Sequence, residues 1–263
     1  MLKDLTKDDW LTFLEIAGAR VPSVLVLRGT RNLGRHEQGH RPLFEDVMEI
    51  GSPNGLFEHL FIGRYGGGEV GYASVYGAPM ASEITHLFGV LGTGWVIQTG
   101  VCGTLGEGIA AGGLVVATTA RCGEGAADSY QPGIAWADAS AELVTEVMAQ
   151  RAVEVPRYAG PIWTTAALLA EGIEEIERWS GEGCIAADME TATTFAVAEY
   201  FGMQRVSILS VFDNPRQGSH LALTEGEKDA AREAGERAMR TLMLGLIARH
   251  GRMAEGSGVE DLK

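Results

Sequence analysis

The chain of 263 residues carries 35 acidic against 21 basic side chains, a formal net charge of -14, with 46% of residues hydrophobic and 21% charged. That length suits one large α/β domain, 1–263, and the acidic total disfavours nucleic acid or an anionic membrane as partner, because either would be repelled. No uninterrupted apolar run reaches the ~20 residues a membrane helix needs, and MLKDLTKDDW lacks the apolar stretch of a signal peptide, so a soluble, cytoplasmic protein is expected.

Helical spacing of apolar residues covers 10–17, and VLVL at 24–27 is a short strand that stops at Arg28 and Gly29. The next segment, RGTRNLGRHEQGHR, gathers Arg28, Arg31, Arg35 and Arg41 with His36 and His40. It reads as a basic, glycine-bearing loop, either a solvated surface loop or an anion site built from guanidinium forks and backbone N–H groups. The run 60–76 alternates around Gly66, Gly67 and Gly68 as a β-hairpin, 81–91 is an amphipathic helix, and WVIQT at 95–99 is a buried strand. It runs into Gly100, Val101, Cys102 and Gly103, expected as a tight turn that lets the backbone approach a ligand. A strand at 112–118, a loop at 121–133, a helix at 139–152, a strand at 158–164 and a helix at 172–179 follow.

The stretch CIAADMETATTFAVAEYFGMQRVSILSVFDNP then supplies a strand at 184–187, a helix with Phe195 and Ala196 on its apolar face, and a strand at 206–211 ending in Asp213. Carboxylates therefore stand at two strand ends, and ligands of open α/β sheets bind beyond such ends, so Asp188, Glu190 and Asp213 are expected to face one pocket. Other readings stay open: an acid at a helix N-terminus is what the macrodipole alone favours, and an Asp before Asn-Pro is a common turn cap. A long amphipathic helix at 224–249 closes the chain. Strands alternating with helices predict a three-layer α/β/α sandwich. Cys102, Cys122 and Cys184 show no metal-ligand spacing and read as free thiols, with neither a disulfide, a metal nor a cofactor expected.

VIQTGVCGTL followed by a Gly-led strand, the ADMETAT helix start, the strand ending in Asp213, and LTKDD near the start together resemble the nucleoside phosphorylase family. That family includes purine nucleoside phosphorylase, uridine phosphorylase and methylthioadenosine nucleosidase. The resemblance implies a twisted mixed central sheet that curls toward a barrel, assembled as a homodimer or as hexamers of dimers. It also implies cleavage of the N-glycosidic bond of a nucleoside. Glu190 would then accept from ribose hydroxyls and Met189 pack on the sugar. Asp213 would be the general acid for a leaving purine, a role for which a carboxyl must be desolvated. Gly100, Val101, Cys102, Leu168 and Asp188 would line the pocket, Asp188 with a minor part, and Trp136 and Tyr130 would cover the base.

The departures from the family pattern concern the acceptor. Gln98 and Val101 stand where an arginine and a Ser or Thr contact phosphate, Gly29 is followed by Thr30 and Arg31 rather than by Asp-Pro, Leu2 replaces a histidine, and Leu168 replaces a stacking aromatic. An uncompensated buried dianion costs several kcal/mol, which tips the expectation toward water as acceptor. Against water, no early activating glutamate matches, Glu37 lying too far along the loop. The alternatives are phosphorolysis, with the phosphate or another anion held by Gly29, Arg28, Arg31, Arg35 or Gln98, and a non-catalytic nucleoside-binding or structural member. His220 is placed either at the pocket mouth or in ordering the loop before the last helix.

Overall fold

The structure is a computed structural model that describes residues 1–53, 55–218 and 226–251. His220 and the tail after Gly251 lie outside the described residues. Helix α1 (Lys7–Phe13) begins earlier than the apolar spacing predicts, because Thr6 and Asp9 form a capping box: the Asp9 N–H donates to the Thr6 hydroxyl, and the Thr6 N–H donates to the Asp9 carboxylate at 2.8 Å. Strand β1 (Val24–Gly29) is followed by a helix, α2 (Leu33–His40), and not by the expected loop. Its poor apolar content hides it in the sequence; the inward face is held by His40, whose ring stacks on Tyr72 at 5.1 Å.

Edge strand β2 (Glu45–Glu49), absent from the sequence expectation, pairs with β3 (Leu60–Tyr65), which forms the expected hairpin with β4 (Gly68–Val75). Helix α3 (Gly77–Leu91) leads to β5 (Trp95–Thr104), and Gly100 to Gly103 continue that strand instead of turning. The small residues there make room for neighbours: a Cβ on Gly100 would lie 3.2 Å from Leu209, and one on Gly103 would lie 2.9 Å from the Asp213 carboxylate. After β6 (Leu114–Gly123) and the short β7 (Trp136–Asp138) come α4 (Ala141–Ala149), β8 (Arg157–Thr165), α5 (Ile173–Gly181), β9 (Ala186–Asp188), α6 (Thr191–Tyr200), β10 (Gln204–Asp213) and α7 (Asp229–His250).

Among the described residues these strands form one mixed ten-stranded sheet in the order β10-β6-β8-β9-β5-β1-β4-β3-β2, with β7 on β6. Strand β10 also pairs in parallel with β5, so β10, β6, β8, β9 and β5 close into a ring while β1, β4, β3 and β2 extend from it. The result is a mixed α/β sandwich around a twisted sheet. Both faces of β1 are buried: Val24 and Val26 join the core under α4 and α7, whereas Leu25 and Leu27 join the core under α1 and α3. A third core, with Phe195 and Ala196 of α6 against Leu209 and Val211, fills the ring side. Each such Val, Leu or Phe contributes roughly 1.5–3 kcal/mol of burial, which fixes the strand ends that carry the polar residues. Among the described residues no helix is long and apolar enough to cross a membrane.

Candidate active site

A cavity of about 550 Å³ opens where β1, β5, β8, β9 and β10 end. Asp188, Glu190 and Asp213 all line it, as the two-strand-end reading expects, together with Met189, Gly29, Arg31, Val101, Cys102 and Leu168.

Glu190 stands at the entry to α6 and is buried; its Oε1 accepts the Gly77 N–H at 2.7 Å. Gly77 opens α3 with φ +79, a left-handed conformation that L side chains rarely adopt, and this turn aims its N–H at the carboxylate. On the other side a Cβ at Gly29 would lie 2.7 Å from Glu190 Oε2, so the carboxylate occupies the space a side chain would fill. Burial, and then the neighbouring Asp188 charge, raise the proton affinity of Glu190.

Asp188 is a hub rather than a minor lining residue. Its Oδ1 accepts from Thr164 Oγ1 at 2.7 Å, and its Oδ2 accepts from Thr191 Oγ1 at 2.6 Å, Thr191 N at 2.9 Å, Gln98 Nε2 at 3.1 Å and Glu190 N at 3.3 Å. Burial raises its proton affinity, and these donors oppose the rise. This fuller set of donors makes Asp188 the better-supported anion of the pair, which leaves the proton with Glu190. Asp188 thereby caps α6 and fixes where Glu190 begins. Gln98 belongs to this buried floor and does not line the cavity, and Gly100 likewise lies beneath it against Leu209 and Gly29.

Asp213 reaches the cavity through a β-bulge. The register of β10 on β5 slips between Val211 and Asp213, so that Asp213 rather than Phe212 stands opposite Gly103. A one-residue slip changes which side chain faces a given side, and bulges commonly re-aim residues at sites. Arg232 of α7 braces the extra residue, donating to the Phe212 carbonyl at 2.9 Å with its guanidinium 4.3 Å from the Phe212 ring. Cys102 lines the cavity as a neutral thiol, since burial and the Asp188 and Asp213 charges push it well above the usual thiol range.

The basic segment divides. Arg31 lines the cavity, is exposed, and lies over the Tyr76 ring at 4.8 Å. Arg28 does not: it shares the face of Val24 and Val26, is buried, and pairs with Glu236 of α7 at 2.8 Å. Arg35 rides on α2 and is absent from the lining, because 33–40 form a helix that carries it past the cavity. Tyr130 meets His86 at 3.2 Å and Tyr200, and Trp136 meets Arg121, so neither covers the cavity. Glu37 is taken by His59 Nδ1 at 2.8 Å.

Several lining residues carry no sequence signal. Glu171 and Thr165 lie outside any motif or period, Tyr76 and Trp179 merely end an expected hairpin and helix, and only the fold brings them to the cavity. Glu171 has its proton affinity raised to about 7, first by burial and then by the charge of Asp213.

The comparisons with known proteins agree with this build. The family model described as the phosphorylase superfamily matches residues 32–248, so the chain belongs to that superfamily, a family of glycosyl-transferring enzymes. It is 28% identical over 178 residues to a guanosine phosphorylase of Halorubrum lacusprofundi, covering 65% of this chain and 73% of the relative. It is 26% identical over 190 residues to a DeoD-type purine nucleoside phosphorylase of Caldanaerobacter subterraneus subsp. tengcongensis, covering 71% and 81%. In fold it is similar to a uridine phosphorylase of Vibrio fischeri (TM-score 0.74, 24% identity, 89% and 95% covered). It is likewise similar to a purine nucleoside phosphorylase of Toxoplasma gondii in complex with immucillin-H (TM-score 0.76, 20% identity, 91% and 96% covered).

These findings overturn water as the favoured acceptor: the family model is that of phosphorylases, and the curated relatives are phosphorylases by name. The expectation failed because it treated the uncharged Gln98 and Val101 as the loss of the anion site, whereas Gln98 serves the Asp188 floor and a cation, Arg31, reaches the cavity from the loop after β1.

Proposed function

We propose that the chain catalyses phosphorolysis of a purine nucleoside, yielding the free base and ribose 1-phosphate. The observation that carries this reading is the pair of buried acids, Glu190 and Asp213, in one cavity that Gly29, Thr30 and Arg31 also line. Phosphate sits against Gly29 and Thr30 with Arg31 as its charged partner, a charge-assisted arrangement that compensates the dianion. Glu190 accepts from the ribose hydroxyls beside Met189, its Oε1 held in place by the Gly77 N–H. A phosphate oxygen bonds to C1′ as the C1′–N bond breaks, and Asp213 delivers a proton to the departing base. Leu168, Cys102 and Val101 flank the base, and Asp188 holds Glu190 in place.

A purine is favoured because Asp213 offers a proton donor for a ring nitrogen, and because the relatives that the chain matches include a guanosine phosphorylase and a purine nucleoside phosphorylase. Guanosine, inosine, adenosine and uridine, each incubated with and without phosphate, test the reading. Guanosine or inosine is expected to yield base and ribose 1-phosphate in equal amounts and only with phosphate; base release that ignores phosphate overturns it. We also infer a homodimer or hexamer, supported by the exposed Phe13 and Leu56 beside the Trp10 and Phe57 rings and checked by sedimentation. A cytoplasmic, reducing setting is supported by the three free thiols, Cys102, Cys122 and Cys184.

A further inference from the structure

Arg31 and Tyr76 come from different strands, and the sheet brings them together. Strands β1 and β4 run parallel with Gly29 opposite Val75, and the Thr30 N–H donates to the Val75 carbonyl at 2.8 Å, so the ladder continues one residue past β1. The Thr30 hydroxyl accepts the Asn32 N–H at 3.1 Å, closing a short turn around Arg31. Arg31 thereby stands beside the residue that follows β4, and its guanidinium lies over the Tyr76 ring at 4.8 Å. Both residues also line a second cavity of about 660 Å³, which shares Leu168 and Met189 with the first, so the pair stands at the boundary of the two. Arg28 and Arg41 are paired with Glu236 and Glu49, whereas Arg31 pairs with no carboxylate among the described residues.

We infer that Tyr76 is a positioning residue for phosphate, holding Arg31 in place with its N–H groups free. The inference rests on the phosphorolysis reading and deepens it. A guanidinium over a ring engages its flat face, while its donors lie in the plane at the edge and stay open to fork onto phosphate oxygens. An exposed arginine otherwise samples many rotamers, and ordering a rotamer-rich side chain on binding is a cost that prior placement removes. A carboxylate partner would also hold Arg31, but it would occupy those same donors and repel the incoming dianion. The aromatic face does neither.

The backbone that carries the ring is fixed as well. Tyr76 is half-buried, and the next residue, Gly77, donates its N–H to Glu190 Oε1 at 2.7 Å. One turn at the start of α3 thus sets the spacing between the side chain that holds phosphate and the acid that holds ribose. The attacking oxygen and C1′ depend on that spacing, since reaction needs the two atoms aligned and close.

The test is a double-substitution cycle in the intact chain, with inorganic phosphate varied and guanosine saturating. Tyr76→Leu is expected to raise the phosphate KM by about 2- to 5-fold, the size of an exposed cation–π contact, with kcat within about twofold. Tyr76→Phe keeps the ring and should stay within about 1.5-fold of wild type. In the Arg31→Ala background Tyr76→Leu should add less than about 1.5-fold, because the group it positions is gone. Phosphate titrated calorimetrically into the nucleoside-free chain should show the same pattern in Kd, a readout that does not depend on turnover. An equal effect of Tyr76→Leu in both backgrounds, as a structural change of the cavity would give, overturns the inference. So does a loss with Tyr76→Phe as large as that with Tyr76→Leu, which would place the effect on the hydroxyl. A lowered phosphate KM overturns it too, since that is the result of a ring that parks Arg31 away from phosphate. If the wild-type chain releases no base from guanosine with phosphate present, the phosphorolysis reading itself falls, which is a different result from an active wild type whose phosphate KM ignores Tyr76.

Discussion

Gly29→Ala tests the site at its tightest point. An added Cβ would stand 2.7 Å from Glu190 Oε2 and 3.0 Å from its Cδ, where an ordinary carbon–oxygen contact needs about 3.4 Å, so the carboxylate must withdraw by roughly 0.7 Å. It cannot do so freely, because Oε1 is held by the Gly77 N–H at 2.7 Å and the side chain is buried. Overpacking of this kind costs about 1–3 kcal/mol. In a protein of this size that lowers Tm by roughly 2–4 °C per kcal/mol. The kinetic effect should exceed the effect on stability, since an acceptor misplaced by somewhat under 1 Å can cost up to about 100-fold. We expect kcat/KM for the nucleoside to fall roughly 30- to 100-fold in a phosphate-saturated assay. Gly39→Ala is the control: it lies on α2, where an added Cβ would meet nothing within 4 Å, and it should leave kinetics unchanged. Gly29→Ala with kinetics within twofold of wild type would refute the seating of Glu190 against this glycine.

Three further outcomes follow from the same geometry. Gly103→Ala places a Cβ 2.9 Å from the Asp213 carboxylate, and steady-state assays should show a fall of about 10-fold or more on guanosine that 7-methylguanosine, whose base is already alkylated at N7, largely escapes. Arg31→Ala should raise the phosphate KM by roughly 10-fold, one charge-assisted hydrogen bond's worth, with Tm unchanged because the side chain is exposed. Acid stability should report His40, whose proton affinity is pushed from 6.5 to about 4 chiefly by burial, with the Arg28 charge adding to it and the hydrogen bond to the His36 carbonyl opposing it. The unfolded chain then binds a proton that the folded chain refuses, so stability is full above about 6.5, falls as the pH drops toward 4, and levels below. At about 1.4 kcal/mol per tenfold in proton affinity, His40 costs on the order of 3 kcal/mol across that window. Urea midpoints at pH 7 and pH 4.5 should converge for His40→Gln relative to wild type; parallel shifts in both proteins would contradict this.

How far the sequence announced this architecture depended on whether one face or two were buried. Helices such as α3 and α6 and the strand ending in Asp213 carry apolar runs long enough to read. Strand β2 does not, because Glu45–Glu49 lies on a sheet edge with its side chains half in water, and α2 does not, because its inward residue is a histidine. The same physics misplaced Arg28. Both faces of β1 are buried, so alternation cannot say which side faces the ligand, and the charge that looked like an anion binder satisfies Glu236 beneath α7.

The site divides by a similar rule. Glu190 and Met189 are legible because they sit in a short contiguous motif, and Asp213 because it ends a readable apolar strand, whereas Glu171, Tyr76 and the bulge at Phe212 depend on elements far apart in the chain. The glycines show why small residues mislead. Gly100 to Gly103 resemble a turn, yet they form a strand whose missing side chains leave space for Leu209 and Asp213, just as Gly29 leaves space for Glu190. A glycine read only for its backbone freedom predicts a bend. Read as absent volume, it predicts what is packed against it, and at Gly29 and Gly103 the packed groups are the acids on which the proposed chemistry turns.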